Sequence, residues 1–496
     1  MKTSFGSTVV IWLTLALLGT TLAAQQNTIP EQSESNDATS LSASSPLSTP
    51  PSDGSQARIV RLSEVRGFVQ LQLDAGQRFV KALLNLPITQ GATLHTDVGS
   101  SEVEFEDDST LRIIPATTIA FPQLELLNSG TTTSTVNVQA GTVYVNLIGS
   151  KDKEFVVNFG SQKLTLMTPS HIRLHLGHAK AKLAVFSGDV RVEGPWGTMA
   201  VGKNKTLNFD LKQQNQPTLT KNIAQNAYDG WDKQAINYHK KYARTTAYGS
   251  VPYTYGVTDL NYYGSFVSAP GCGPAWRPFL ASAGWDPFMN GTWAWYSASG
   301  YTWVSSYPWG WMPFHSGDWE FCPAYGWGWH PGRAWIGLRN PPKPVKPPSG
   351  FPVPRPPRRP VSGSSQLVTV NRAPGAVSTL TPGKFVVRND SAGLGVPRGF
   401  VGNMGKLSSQ VQQSGSVNLA VASTPVAAAG KGRAAGGASV SSARSASASR
   451  TGSASYPHSA SMAAGHSSGG MRSAGASGSS MGHVGGSGGG SGSPHK

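Results

Sequence analysis

The feature that most constrains this chain is a run of indoles. Fourteen tryptophans occur in 496 residues, and eleven of them lie between Trp276 and Trp335. They recur in register. A shift of 26 residues carries Trp285 onto Trp311, Pro287 onto Pro313, Phe288 onto Phe314, Gly291 onto Gly317 and Trp293 onto Trp319. The same shift carries Tyr301 onto Trp327, Trp303 onto Trp329 and Trp309 onto Trp335. Trp276-Arg277-Pro278-Phe279 reads as a truncated opening copy. Large aromatics at a fixed period mark a duplicated supersecondary unit of hairpin size, so residues 256–337 are expected to form a small Trp-rich β-repeat domain. Alternation puts Trp293 and Trp295 on one strand face, and Trp327 and Trp329 on another. An indole buries roughly 150–250 Å², and a domain this small can neither expose nor hide eleven of them. Two readings follow. The shared faces are core, or Trp293, Trp295, Trp303, Trp319, Trp327 and Trp329 leave a solvent-facing strip that stacks on sugar rings or on a partner protein.

Charge is unevenly spread. The formal net charge is +16, but residues 1–340 carry 25 Lys and Arg against 24 Asp and Glu. Residues 341–496 carry 16 bases and one acid, Asp390. The basic character therefore belongs to the C-terminal part. Lys2, the apolar run Val9 to Leu18 and the small residues near Ala23 have the form of a secretory signal over residues 1–24. The run is too short to span a bilayer, so a periplasmic or secreted protein without a transmembrane span after cleavage is expected. Cys272 and Cys322 are the two cysteines. In an oxidising compartment they are candidates for a disulfide, and free or intermolecular thiols are the alternative.

Composition divides the rest. Residues 25–57, rich in Ser and Pro, are expected to be a disordered linker. Residues 58–210 carry many short alternating runs broken by turn residues, as in an all-β sandwich or roll. In residues 221–245 Trp231, Ala235, Tyr238 and Tyr242 fall three and four apart, which predicts one linking amphipathic helix. Residues 340–362 form a Pro/Arg-rich spacer, residues 363–407 a weakly structured segment, and residues 408–496 a disordered, basic Ser/Gly/Ala-rich tail. The fold class is thus mainly β.

Two resemblances add to this. Gly91-Ala92-Thr93-Leu94-His95-Thr96, Val103 to Ile114 with its Asp107-Asp108-Ser109 turn, Pro115-Ala116-Thr117 and the strands opening at Gly141 and Gly188 resemble the FecR domain, a periplasmic β-rich domain. Asp108 departs from that pattern, which usually has Gly there. Asp259-Leu260-Asn261-Tyr262-Tyr263-Gly264, Trp276-Arg277-Pro278 and the two Trp-x-Pro-Phe copies resemble an uncharacterised Trp-rich domain found downstream of FecR-like domains in secreted bacterial proteins. FecR-like regulators act on a sigma factor through a cytoplasmic N-terminal arm. Only eight residues precede the apolar run here, and signalling of that type is not expected.

Catalytic signals are weak. Asp286, Asp318 and Glu320 lie near the aromatics, as a glycosidase pair would, but Asp286 aligns with Met312 and Glu320 with Ala294, outside the repeated design. His171, His175 and His178 read as strand-surface histidines and not as metal ligands, and no cofactor is implied. The expectation is a non-enzymatic exported FecR-domain protein, an envelope-associated scaffold or binding protein whose aromatic repeat contacts cell-wall glycan, exopolysaccharide or an envelope protein, with no specific nucleic acid. The alternatives are a regulatory or sensing protein in cell-surface signalling and, more weakly, a glycan hydrolase.

Overall fold

Every second side chain of Gln162–Leu166 and of Ser170–Leu176 is buried, the mark of strands with one face on a core. Such strands build the first module as two sheets. One orders Val80–Lys81, Val69–Gln72, Thr93–Thr96, Thr117–Leu126, the first half of Thr132–Leu147, Lys153–Phe159, Gln162–Leu166, Asp189–Gly194 and Gly197–Gly202. The other orders Pro87–Ile88, Val60–Arg66, Ser100–Glu104, Thr110–Ile113, the second half of Thr132–Leu147, Ser170–Leu176, Lys180–Ser187, Lys205–Asp210 and Thr218–Thr220. The sixteen-residue strand Thr132–Leu147 belongs to both and links them into one closed pairing network. It changes sheets at Gly141, whose φ of 92° and 2.4 Å approach to the Ala116 carbonyl, measured from an added Cβ, admit only glycine. Leu71, Leu94 and Ile119 of the first sheet and Leu62, Val103 and Leu111 of the second share one core.

This computed structural model describes residues 56–149, 153–167, 169–213, 215–249, 251–361, 366–372, 377–378 and 384–420. The expected signal (1–24), nearly all of the linker (25–57) and the tail beyond 420 lie outside the described residues. The chain is mainly β, as expected. Among the described residues the α-helices are α1 (Asp229–Tyr242), α2 (Val257–Tyr263), α3 (Met312–His315) and α4 (Met404–Ser414). None is long and apolar enough to cross a membrane.

The Trp module consists of three hairpins. Gly264–Ala269 pairs with Gly273–Pro278, Asn290–Tyr296 with Gly300–Ser305, and Ser316–Cys322 with Gly326–Trp335. In each an aromatic residue faces a tryptophan directly: Phe266 faces Trp276, Trp293 faces Trp303, and Trp319 faces Trp329. A glycine sits near each of these tryptophans. A Cβ at Gly264 would lie 2.3 Å from the Trp276 ring, at Gly291 2.2 Å from the Trp303 ring, and at Gly317 2.8 Å from Nε1 of Trp329. The missing side chain lets the opposing indole lie across the strand. The opening copy is therefore the Gly264–Pro278 hairpin, with Trp276 in the place of Trp303 and Trp329. It is not the Trp276-Arg277-Pro278-Phe279 segment aligned with Trp285 and Trp311, whose likeness is local and does not carry the glycine-to-indole contact.

The middle hairpin has two working faces. Trp293 and Trp303 join the aromatic core, while Ala294, Tyr296 and Val304 join the core of the first module. The C-terminal segments also enter the fold, which corrects three expectations. The Pro/Arg-rich spacer is laid over the hairpins: Phe351 meets Trp327 at 4.9 Å, the Tyr301 hydroxyl donates to the Arg358 carbonyl, and the Arg359 guanidinium stands 5.5 Å from the Trp295 ring. The weakly structured segment supplies Leu367–Asn371, which pairs with Asn290–Ala294, and Lys384–Arg388. The ordered chain continues past residue 408 through α4 to the strand Ser416–Ala420. Asn403 caps α4 by accepting from the Lys406 amide, and Met404, Leu407 and Val411 bury its inner face. Sparse apolar residues among Ser and Gln hid this stripe.

Gly317 has φ of +70° and would drive a Cβ to 2.1 Å from the His330 carbonyl. Gly317→Ala is expected to cost about 2–4 kcal/mol, combining left-handed strain with overpacking. Gly76→Ala has a similar φ of +78° but open space around it, and should cost only about 1–2 kcal/mol. Urea denaturation of both variants checks the difference.

Candidate functional site

The six tryptophans expected to form an exposed strip do not form one. Trp293, Trp303, Trp319, Trp327 and Trp329 are buried, and Trp295 alone is half-exposed, beneath Arg359. Trp276, Trp285, Trp309 and Trp319 pack edge-to-face or tilted at 5.0–6.5 Å. Hairpins stacked by two-sided burial leave no face for a continuous strip, and the core reading holds for five of the six. Cys272 and Cys322 are disulfide-bonded with Cα atoms 6.2 Å apart, tying the turn of the first hairpin to the third.

A different cluster occupies the seam between the modules. On the second sheet, charged residues alternate with core residues and face one another across strands: Arg61 opposite Glu104, and Glu102 opposite Arg112. This face is covered. α1 lays Asp232 and His239 on it, and α2 lays Asp259. Arg61 contacts Glu104 at 2.9 Å and Asp259 at 2.6 Å, and donates to the Pro308 carbonyl. Arg112 joins Glu102 (2.7 Å) to Asp232 (2.9 Å), and His171 meets the second oxygen of Asp232 at 2.8 Å. His239 donates from Nδ1 to Asp108 at 2.6 Å and from Nε2 to Glu102 at 3.0 Å. Arg398, from the C-terminal segment, reaches Glu102 and Asp259 at 2.6 and 2.8 Å. Tyr238 donates its hydroxyl to Asp259.

Burial and charge oppose each other here. Burial works against a charged His239, but Asp108 and Glu102 outweigh it and lift its pKa to about 10. Burial pushes Glu102 up, yet His239, Arg112 and Arg398 hold it well below the usual carboxylate range. Glu104 goes the other way: burial raises it to about 7, Arg61 opposes and Asp108 adds to the rise. The turn residue Asp108 has a structural role. Asp108 sits at φ 68°, where glycine is favoured, and its carboxylate is the partner of His239.

Glu104, Asp108 and His239 lie close enough together to bracket an ion. Both nitrogens of the His239 ring are already turned to carboxylates, Nδ1 to Asp108 and Nε2 to Glu102. Asp286 is turned to the Phe288 amide and Arg372, Asp318 is exposed, and Glu320 pairs with Lys346 and His330. His175 bonds the Thr142 hydroxyl. Sequence reasoning missed the charged seam, because alternating charge on a strand reads as a solvent face.

Clefts open along the seam. One, about 720 Å³, lies between Glu64, Arg66 and Leu84 of the first module, Tyr263 and Pro308 of the second, and the 395–400 segment. An adjoining pocket of about 310 Å³ is lined by Trp231, Lys241 and Tyr242. On another part of the seam a cleft of about 510 Å³ is walled by Tyr253, Tyr255 and Trp335.

The Trp module has known relatives. The model of a family of unknown function, DUF6600, matches residues 257–339, from α2 to just past the third hairpin. No curated protein matches the chain. Among solved structures, the chain is similar to two crystal structures of a "putative anti-sigma factor from Parabacteroides distasonis ATCC 8503". The first, at 1.65 Å, is 13% identical over 27% of this chain and 61% of that one, with a TM-score of 0.23. The second, at 2.50 Å, is 12% identical over 32% of this chain and 74% of that one, also with a TM-score of 0.23.

Two expectations follow from the seam. Asp108→Gly relieves about 1–2 kcal/mol of backbone strain but breaks a buried ion pair, a loss of about 3–5 kcal/mol. The variant should therefore be less stable in urea despite its better turn residue. The second concerns pH. His239 has its folded pKa raised from 6.5 to about 10, so its contribution is full below pH 6.5 and is lost as pH rises to 10. Glu102, held low, contributes above pH 4.5 and loses that as pH falls. Lys153, brought down to about 8 by burial, gives the opposite alkaline slope and cancels when two variants are compared. Melting temperatures of wild type and His239→Gln between pH 7 and 10 should converge as pH rises.

Proposed function

We propose that the protein is an exported, non-enzymatic scaffold or binding protein of the bacterial envelope, pairing a FecR-like β module with the Trp module. One observation carries this reading: the interior ionisable groups at the seam are held by opposite charges in a network that joins both modules and the C-terminal segment. A catalytic acid or base needs a side chain free to change protonation during turnover and open to a substrate, whereas His239 and Glu102 are pinned in their charged states and Glu104, raised to about 7 by burial, is sealed from solvent against Arg61. A pinned network makes a stiff platform, and its clefts lie where the modules meet. The signal-like N-terminus and the disulfide both suit an oxidising compartment. The basic residues after 340 suit contact with anionic envelope material.

Cell fractionation of the native full-length protein, with co-sedimentation on isolated envelope material, tests the proposal. The protein is expected in the periplasmic, envelope or secreted fraction and bound to that material. A cytosolic pool, or no association with any envelope fraction, overturns it.

A further inference from the structure

We infer that the cleft walled by Tyr253, Tyr255 and Trp335 is a binding site for an uncharged oligosaccharide segment. The inference rests on the binding role proposed above and names its ligand class and place. The cleft holds about 510 Å³, within the range of small-ligand sites. It is built by loops at the strand ends of the first module, by the turn of the middle hairpin, by the segment joining α1 to α2, and by the end of the third hairpin.

Three properties select the ligand. The wall is aromatic: Trp335 lies 5.0 Å from Tyr253 and 5.4 Å from Tyr255 between ring centroids, and both Tyr253 and Trp335 are half-exposed. Ile336 beside them is 40% exposed. Such a wall suits the C–H face of a pyranose ring, which is apolar while its rim is polar. The polar groups are mixed. The Tyr253 hydroxyl and the Arg339 guanidinium have no hydrogen-bond partner among the described residues, and Asp74, whose carboxylate accepts from Gln77 and the Ser297 amide, also lines the cleft. Donors and acceptors side by side match hydroxyl groups, which are both. The charge is balanced, since Arg58 is closed by a two-pronged pair with Glu106 at 2.7 and 2.6 Å, and the other two charged residues of the lining, Arg339 and Asp74, are of opposite sign. A site of zero net charge gives an anionic polymer no electrostatic advantage. The basic residues that would attract polyanions lie elsewhere in the chain.

Isothermal titration of the full-length mature protein tests this. The probes are tetrasaccharides of β-1,4-linked glucose, α-1,4-linked glucose and β-1,4-linked N-acetylglucosamine, with tetragalacturonate as the anionic arm. At least one neutral probe is expected to bind more tightly than tetragalacturonate. Tyr253→Phe and Arg339→Ala, mild changes at a half-buried and an exposed position, should each weaken it about fivefold with the melting temperature unchanged. Trp196→Phe, a half-exposed indole outside the cleft, should have no effect. The inference is overturned if no neutral probe binds, if the anionic probe binds more tightly, or if both cleft variants bind as wild type does. Envelope co-sedimentation that persists in the cleft variants under any of those results leaves the broader binding role standing and rejects this site alone.

Discussion

The structure depends on hiding a charged sheet face. Arg61, Glu102, Glu104 and Arg112 stand on the outer side of the second sheet, where alternation would give them to water. Instead α1, α2 and the C-terminal segment cover them, and each covering element brings its own charge. Burying one such ion alone would cost several kcal/mol, so the arrangement stands only because the partners arrive together. That condition explains why Asp232 and His239 point inward from α1, and why Arg398, far along the chain, closes the cluster against Glu102 and Asp259. It also explains a strained turn. Asp108 occupies a glycine-like conformation because the network needs its carboxylate more than the turn needs relief.

Much of the fold was legible. Period-two alternation located the strands of the first module, and the repeat of indoles located the second and third hairpins. The helix at 221–245 was expected from its apolar spacing and is present as Asp229–Tyr242. The limits of that reading are physical. An apolar stripe reports one buried face, but α1 buries Asp232 and His239 beside Tyr238, and charge seven residues apart reads as solvated until its partners are known. Alternating Glu102-Val103-Glu104 has the same ambiguity, because a polar face looks identical whether water or another module covers it.

The aromatic repeat shows a second kind of limit. Its period was readable, whereas the side on which its rings lie was not. Pairing puts Trp293 opposite Trp303 and Trp319 opposite Trp329, and area alone does not decide whether such pairs face out or in. The glycines decide it. Gly264, Gly291 and Gly317 each leave the space that an indole fills, a sign that ring and backbone are packed together and not offered to solvent. Five of the six candidate rings are thereby enclosed.

The middle hairpin, with Trp293 and Trp303 on one side and Ala294, Tyr296 and Val304 on the other, is a party wall. Neither neighbour can be demolished without exposing the other's interior. A truncation that ends after residue 210, or one that begins at 256, would leave a raw apolar surface next to a row of stranded charges. The polypeptide from Val60 to Ala420 should therefore melt in one step, and proteolytic nicks in its joining segments should release no stable half.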